Sequence, residues 1–189
     1  MRGLGARSFA LLAALALGGC ATLSEQECRS GDWTAVGRSD GAAGSPPGQL
    51  DRHRKACARH GIEPQEAAWR DGYAAGLVEF CTPKGGYLAG RDGHGSKQAC
   101  AGAAKEQEFL QALRRGQEVN AMRRDVDQLR QNVRDLEMAV LSGDYDDYEA
   151  TQARMRIGAM QGELRSREWE LERLDSDYCV EYGAPRLRR

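Results

Sequence analysis

His53, Cys57 and His60 stand at i, i+4 and i+7, a spacing that puts all three on one face of a helix. Imidazole and thiolate are ligands that zinc and copper favour, and a second cysteine would complete a four-ligand set. Two arguments oppose a metal. Histidine near a helix C-terminus is favoured by the macrodipole alone, and Cys57 has four other cysteines beyond the N-terminal segment with which to pair. No metal and no cofactor is therefore expected, with His53, Cys57 and His60 the residues to inspect. A cysteine–histidine nucleophilic pair needs a free thiol of lowered pKa beside a base, and neither a cysteine-hydrolase signature nor a CxxC pair occurs. Nucleotide binding has no support either, since GxxxxGK[ST] and a strand leading into GxGxxG are both missing. Asp144, Asp146, Asp147 and Glu149 lack the glycine and spacing of a calcium loop and read as an acidic turn before a helix. A non-catalytic protein is the expectation.

The segments that carry these residues begin with an export signal. Arg2 and Arg7 form a positive n-region, residues 9–17 are apolar, and Leu17, Gly18, Gly19 and Cys20 follow. So short an apolar run does not cross a hydrocarbon core of about 30 Å, which needs about 20 residues. The quartet resembles the bacterial lipobox, which implies cleavage before Cys20 and acylation of its thiol and amine. Two or more acyl chains, at about 0.8 kcal/mol per buried methylene, anchor stably. By the lipoprotein sorting rule, Ala21 rather than Asp points to the outer membrane, facing the periplasm. Cys28, Cys57, Cys81, Cys100 and Cys179 then meet an oxidising compartment, where disulfides are the default and one thiol of five is left over.

Charged residues make up 29% of the 189 and aromatics 6%, so a small or elongated fold is expected rather than a large core. Net charge is −1, so bulk charge implies no nucleic-acid partner. Four segments are expected: a signal peptide over 1–19, a Cys-rich domain over 20–102, a helical hairpin over 103–182 and a basic tail over 183–189. In the Cys-rich part, Ser24 with Glu27 has capping-box spacing, Asp32 caps a second short turn through Trp33, Val36 and Gly37, and further helices are expected over 49–60 and 65–81. Residues 84–99, with five glycines, read as loop or short hairpin. Trp33 precedes Gly37 and Gly41 as Trp69 precedes Gly72 and Gly76; small residues four apart predict close helix packing. From Val119 to Val140, apolar residues alternate in steps of three and four; after a break at Ser142, Gly143 and Asp144 a second seam runs from Ala150 to Tyr178. The fold class is mainly α, a small disulfide-stapled helical domain followed by an antiparallel coiled-coil hairpin. Folding about Gly143 makes paired residue numbers sum to about 286, which sets Cys179 opposite roughly residue 107. Arg186, Arg188 and Arg189 are expected in a frayed, soluble tail.

Four cysteines admit three pairings. A helix of about 26 Å ending at Cys81, antiparallel to the preceding one, carries Cys81 away from Cys57 and disfavours that bond. Of the remaining two, Cys28 with Cys57 and Cys81 with Cys100 is preferred, since the latter closes a short loop contributing about 3 kcal/mol. Cys179 is expected either free against the domain, the preferred reading, or linking two copies.

The lipobox, Cys28, the Gly31, Asp32, Trp33 triplet with Gly37, Asp40 and Gly41, His53 to Cys57 ahead of His60 and Gly61, then Gly76, Leu77, Cys81 and Cys100, together resemble the proteobacterial lipoproteins grouped as domain of unknown function 2799. The resemblance covers roughly residues 17 to 116. It implies that four cysteines belong to the domain and Cys179 is extra, and it carries no activity. The expected role is a structural or protein-binding accessory of the outer membrane, held by its lipid and meeting another envelope protein or its own copy through the hairpin. A small-ligand or metal-binding lipoprotein is the alternative.

Overall fold

The computed structural model describes residues 22–187. The signal peptide, Cys20, Arg188 and Arg189 lie outside them. Within this span the chain is all helical: α1 (Glu25–Ser30), α2 (Trp33–Ala42), α3 (Gln49–Ala58), α4 (Glu66–Phe80), α5 (Pro83–Asp92), a 3-10 turn (Lys97–Cys100), α6 (Glu106–Ser142) and α7 (Asp147–Tyr182). None of these helices is long and apolar enough to cross a membrane.

The helix starts follow local chemistry. Ser24 and Glu27 form a reciprocal capping box, and the Asp32 carboxylate accepts from the Ala35 amide at the head of α2. Asp146 and Glu149 repeat the box at the start of α7, so the acidic turn is a cap. Two disulfides, Cys28–Cys57 and Cys81–Cys100, are the preferred pairing.

Glycines set the packing. In α2 and α4 they face each other reciprocally: a Cβ on Gly37 would lie 2.0 Å from the Trp69 carbonyl oxygen, and one on Gly72 2.0 Å from that of Thr34. The backbones therefore touch, as the two glycine pairs predict. The sequence reading of 84–99 is corrected here. Residues 83–92 form α5, because Thr82, which stops α4, also accepts from the Gly85 amide, and Pro83 occupies the first turn, where its missing N–H costs nothing. Two of the glycines that read as helix breakers are contact points: a Cβ on Gly90 would meet the Leu113 carbonyl oxygen at 2.1 Å, and one on Gly86 the Phe109 carbonyl oxygen at 2.3 Å. Gly116 of α6 answers them against Tyr87 at 2.1 Å. Tertiary contact overrides the low helix propensity of glycine, about 1 kcal/mol per residue against alanine.

α6 is one continuous helix of 37 residues, about 55 Å long. Its first third packs on α5; the remainder pairs with α7 over Val119, Val126 and Val133, all buried. From Asn120, which donates to the Arg91 carbonyl, α6 runs about 33 Å further to Ser142. The hairpin is antiparallel, but its register departs from the expected one. Cross-pairs Arg130–Glu168, Gln161–Glu137, Tyr178–Glu118 and Arg115–Glu181 sum to 296–298, which brings Cys179 level with about residue 118 instead of 107. The arms are unequal about Gly143: four residues form the turn, and roughly the first two turns of α7 extend past the end of α6, with residues 141–149 exposed and Ala150 and Ala153 turned inward.

Candidate functional site

The histidine–cysteine face is divided among three separate tasks. His53 is 2% exposed; its Nδ1 lies 2.9 Å from the Thr22 hydroxyl and its Nε2 2.8 Å from Asp40 Oδ2. The Trp69 indole N–H donates to that same carboxylate oxygen at 2.8 Å. Asp40 on α2 thus ties α3 to α4, and the stacked Trp69–Tyr73 pair closes over it while the Tyr73 hydroxyl donates to the Ser45 carbonyl. Cys57 is held in its disulfide, and His60 stands beside the Glu25 carboxylate at 3.6 Å. His53, Cys57 and His60 are therefore not assembled into a ligand set: one sulfur is oxidised and both nitrogens of His53 are engaged. Among the described residues no group of three or more His, Cys, Asp or Glu is placed to hold a metal.

Thr22, His53 and Asp40 form a hydroxyl–imidazole–carboxylate chain, which in an open cleft would be a nucleophile with its base. Here it is a buried strut. Two open clefts exist nearby, and none of the three residues lines either. One, of about 350 Å³, has Leu50, Trp69 and Tyr73 as its floor and Arg54 and Glu66, already paired with each other, at its rim. The other, of about 430 Å³, lies beside α5 and α6 and is lined by His94, Lys97, Asn120 and Arg124.

A second polar cluster, unforeseen from the sequence, sits where α5 meets the base of the hairpin. The buried Tyr87 hydroxyl donates to Asp175 Oδ1 at 2.9 Å; the Cys179 thiol lies 3.6 Å from the same oxygen and donates to the Pro185 carbonyl at 3.4 Å. Arg91 also donates to the Pro185 carbonyl, and the Leu187 amide donates to Asp175 Oδ2 at 3.0 Å. The tail is thus docked as far as Leu187, not frayed: Ala184 and Leu187 pack on Tyr87 and Cys179. Asp175 escaped the sequence reading because an acid on an apolar seam reads as solvent-facing; its place four residues before Cys179 was the available signal. The thiol is free but 5% exposed. Burial, with the neighbouring Asp175 carboxylate, pushes its pKa up, the opposite of what a nucleophile needs. Iodoacetamide is accordingly expected to alkylate native Cys179 more than about tenfold slower than in unfolded protein, and deletion of residues 184–189 to restore fast labelling. Mass-spectrometric rates check this; a reducible dimer abolished by Cys179→Ser would show the thiol to be exposed after all.

A disulfide-stapled domain of glycine-packed helix pairs, continued by one shared helix into a hairpin, defines the class: an all-α module with buried polar struts. Residues 32–118 match the family model described as Protein of unknown function (DUF2799). The matched part contains both glycine-packed pairs and the Cys81–Cys100 bond; Cys28 and most of the hairpin fall outside it. No curated protein and no solved structure matches the chain.

Proposed function

We propose that this chain is a lipid-anchored, non-catalytic accessory of the bacterial outer membrane, facing the periplasm, whose hairpin binds another envelope protein. The observation that carries the reading is the hairpin, which extends about 28 Å beyond the last α6 hydrogen bond to α5, from Arg123 to the Arg91 carbonyl, and presents helical surface over that length. The two polar clusters fit an accessory: each joins elements of the fold, His53 to α2 and Thr22, Asp175 to α5 and the tail. The anchor would be short. Thr22 is hydrogen-bonded to the core two residues after Cys20, a reach of about 7 Å, so acyl chains on Cys20 would hold the domain against the lipid surface.

Replacing Cys20 by alanine is expected to leave the protein unprocessed or soluble, since the described helices offer no second anchor. Fractionation of cells with a high-salt wash measures this. Recovery of the variant in the outer-membrane fraction at wild-type level would refute the lipid anchor.

A further inference from the structure

Eight large apolar side chains are strongly exposed among the described residues, and five of them, Met138, Leu141, Tyr145, Tyr148 and Met155, fall within 18 residues at the hairpin tip. Met138 and Leu141 are 64% and 79% exposed on the last turn of α6, and Tyr148 is 73% exposed on the first turn of α7. Scattered apolar residues on a surface need no explanation, but a patch of this kind marks a contact site. The same tip is where the charges of a nearly neutral chain separate. Residues 135–153 contain six acids, Asp135, Glu137, Asp144, Asp146, Asp147 and Glu149, and no Lys, Arg or His. None of the six is ion-paired among the described residues; Asp146 and Glu149 cap α7, Glu137 accepts from Gln161 and Asp144 from Ser142. The rest of the hairpin is close to balance, with six bases against five acids over 106–134 and five against seven over 154–182.

We propose that this tip is the docking end of the hairpin, and that its partner is an envelope protein offering an apolar groove rimmed by Lys and Arg. The proposal rests on the reading of the hairpin as a protein-binding arm and names the partner's chemistry. Charge complementarity selects among occupants. A second copy meeting tip to tip would oppose six carboxylates with six, and an anionic lipid surface would repel them, whereas a basic rim neutralises them as the apolar side chains leave water. Tyr and Met suit the centre of such a contact, since both bury large area and adapt to an irregular groove.

Photocrosslinking in intact cells tests it on the full-length protein, with benzoylphenylalanine in place of Tyr148 at the tip or Trp169, 66% exposed, on the shaft. The expected result is a discrete protein adduct from the tip probe, whose crosslinked segment is apolar and flanked by Lys or Arg. Its yield should fall roughly tenfold with the Asp144→Lys and Asp147→Lys pair, and similarly with Met138→Ser and Leu141→Ser. These side chains are exposed, so unchanged far-ultraviolet circular dichroism verifies that both variants remain folded. An adduct with lipid or with a second copy, a partner segment without basic residues, or a yield indifferent to charge reversal overturns the proposal. Adducts from the shaft probe alone overturn the tip while leaving a protein-binding hairpin; no protein adduct from either probe overturns both.

Discussion

Gly72→Ala is expected to destabilise the protein by about 3 kcal/mol or more, and Gly37→Ala by a similar amount. The new methyl at position 72 would stand 2.0 Å from the Thr34 carbonyl oxygen and 2.9 Å from the Arg38 amide nitrogen. Overpacking in a core typically costs about 1–3 kcal/mol where side chains can rotate aside. Here the obstacles are backbone atoms on a facing helix, so α2 and α4 must move apart by more than about 1 Å to reach ordinary contact. Separation would also stretch the bond from the Trp69 indole to Asp40, and with it the support of His53. Gly158→Ala is the matched control: a helical glycine in α7 with nothing within 4 Å of the added methyl, it should gain up to about 1 kcal/mol. Urea unfolding midpoints measure all three. A Gly72→Ala protein within 1 kcal/mol of the parent would show that the two helices are not in backbone contact.

Loss of the Cys28–Cys57 bond is expected to cost about 4 kcal/mol, and loss of Cys81–Cys100 about 3 kcal/mol, on the loop lengths of 29 and 19 residues. The larger effect belongs to the first for a second reason. Cys28 and Cys57 are both within 1% of complete burial, with Trp33, Leu50 and Trp69, whereas Cys81 of the second bond is 8% exposed, so the first pair buries the more serine hydroxyl in apolar surroundings, at a further cost of about 1–3 kcal/mol for each. Cys81 and Cys100 close instead over Phe80 and Phe109, at the join of α4, the 3-10 turn and α6. Small domains have about 5–15 kcal/mol in total, so removing both bonds should leave the Cys-rich part largely unfolded at 37 °C. Thermal unfolding of the two double-serine variants, and of the parent with and without reductant, checks the order. Equal or reversed losses would show that the first bond lies at the margin of the core.

The heptad spacing from Val119 to Val140 made the hairpin legible because two long helices offer many repeats of one signal, and every fully buried valine of α6 lies on that seam. One of the three disulfide pairings was excluded for a related reason, since the length of α4 separates Cys57 from Cys81, and the short loop between Cys81 and Cys100 favoured the observed one of the other two. What the sequence concealed was non-local. Glycines at 86 and 90 read as breakers until Gly116, thirty residues later, is seen against them. Hairpin register depends on how far α7 runs past the turn, and spacing within each arm carries no information on that offset. At the candidate sites, the shared helical face of His53, Cys57 and His60 was readable, but their partners, Thr22, Asp40, Cys28 and Glu25, come from other segments and decide what each residue does. Tyr87, Arg91, Asp175 and Pro185 meet across about 90 residues of chain, beyond any local pattern.

Because α6 passes unbroken from the α5 contact to the tip, the hairpin is a lever with its fulcrum at Gly116. A sideways load at Tyr148 acts over an arm of about 50 Å, and the reaction falls on the seam between α5 and α6 and on the short clasp of Pro185 and Leu187 over Cys179. Of these, the clasp is held by a few hydrogen bonds and two apolar side chains, while the seam is backbone against backbone. Strain applied at the far end would release the tail first, and the thiol beneath it would become the earliest chemical record that the arm had been pulled.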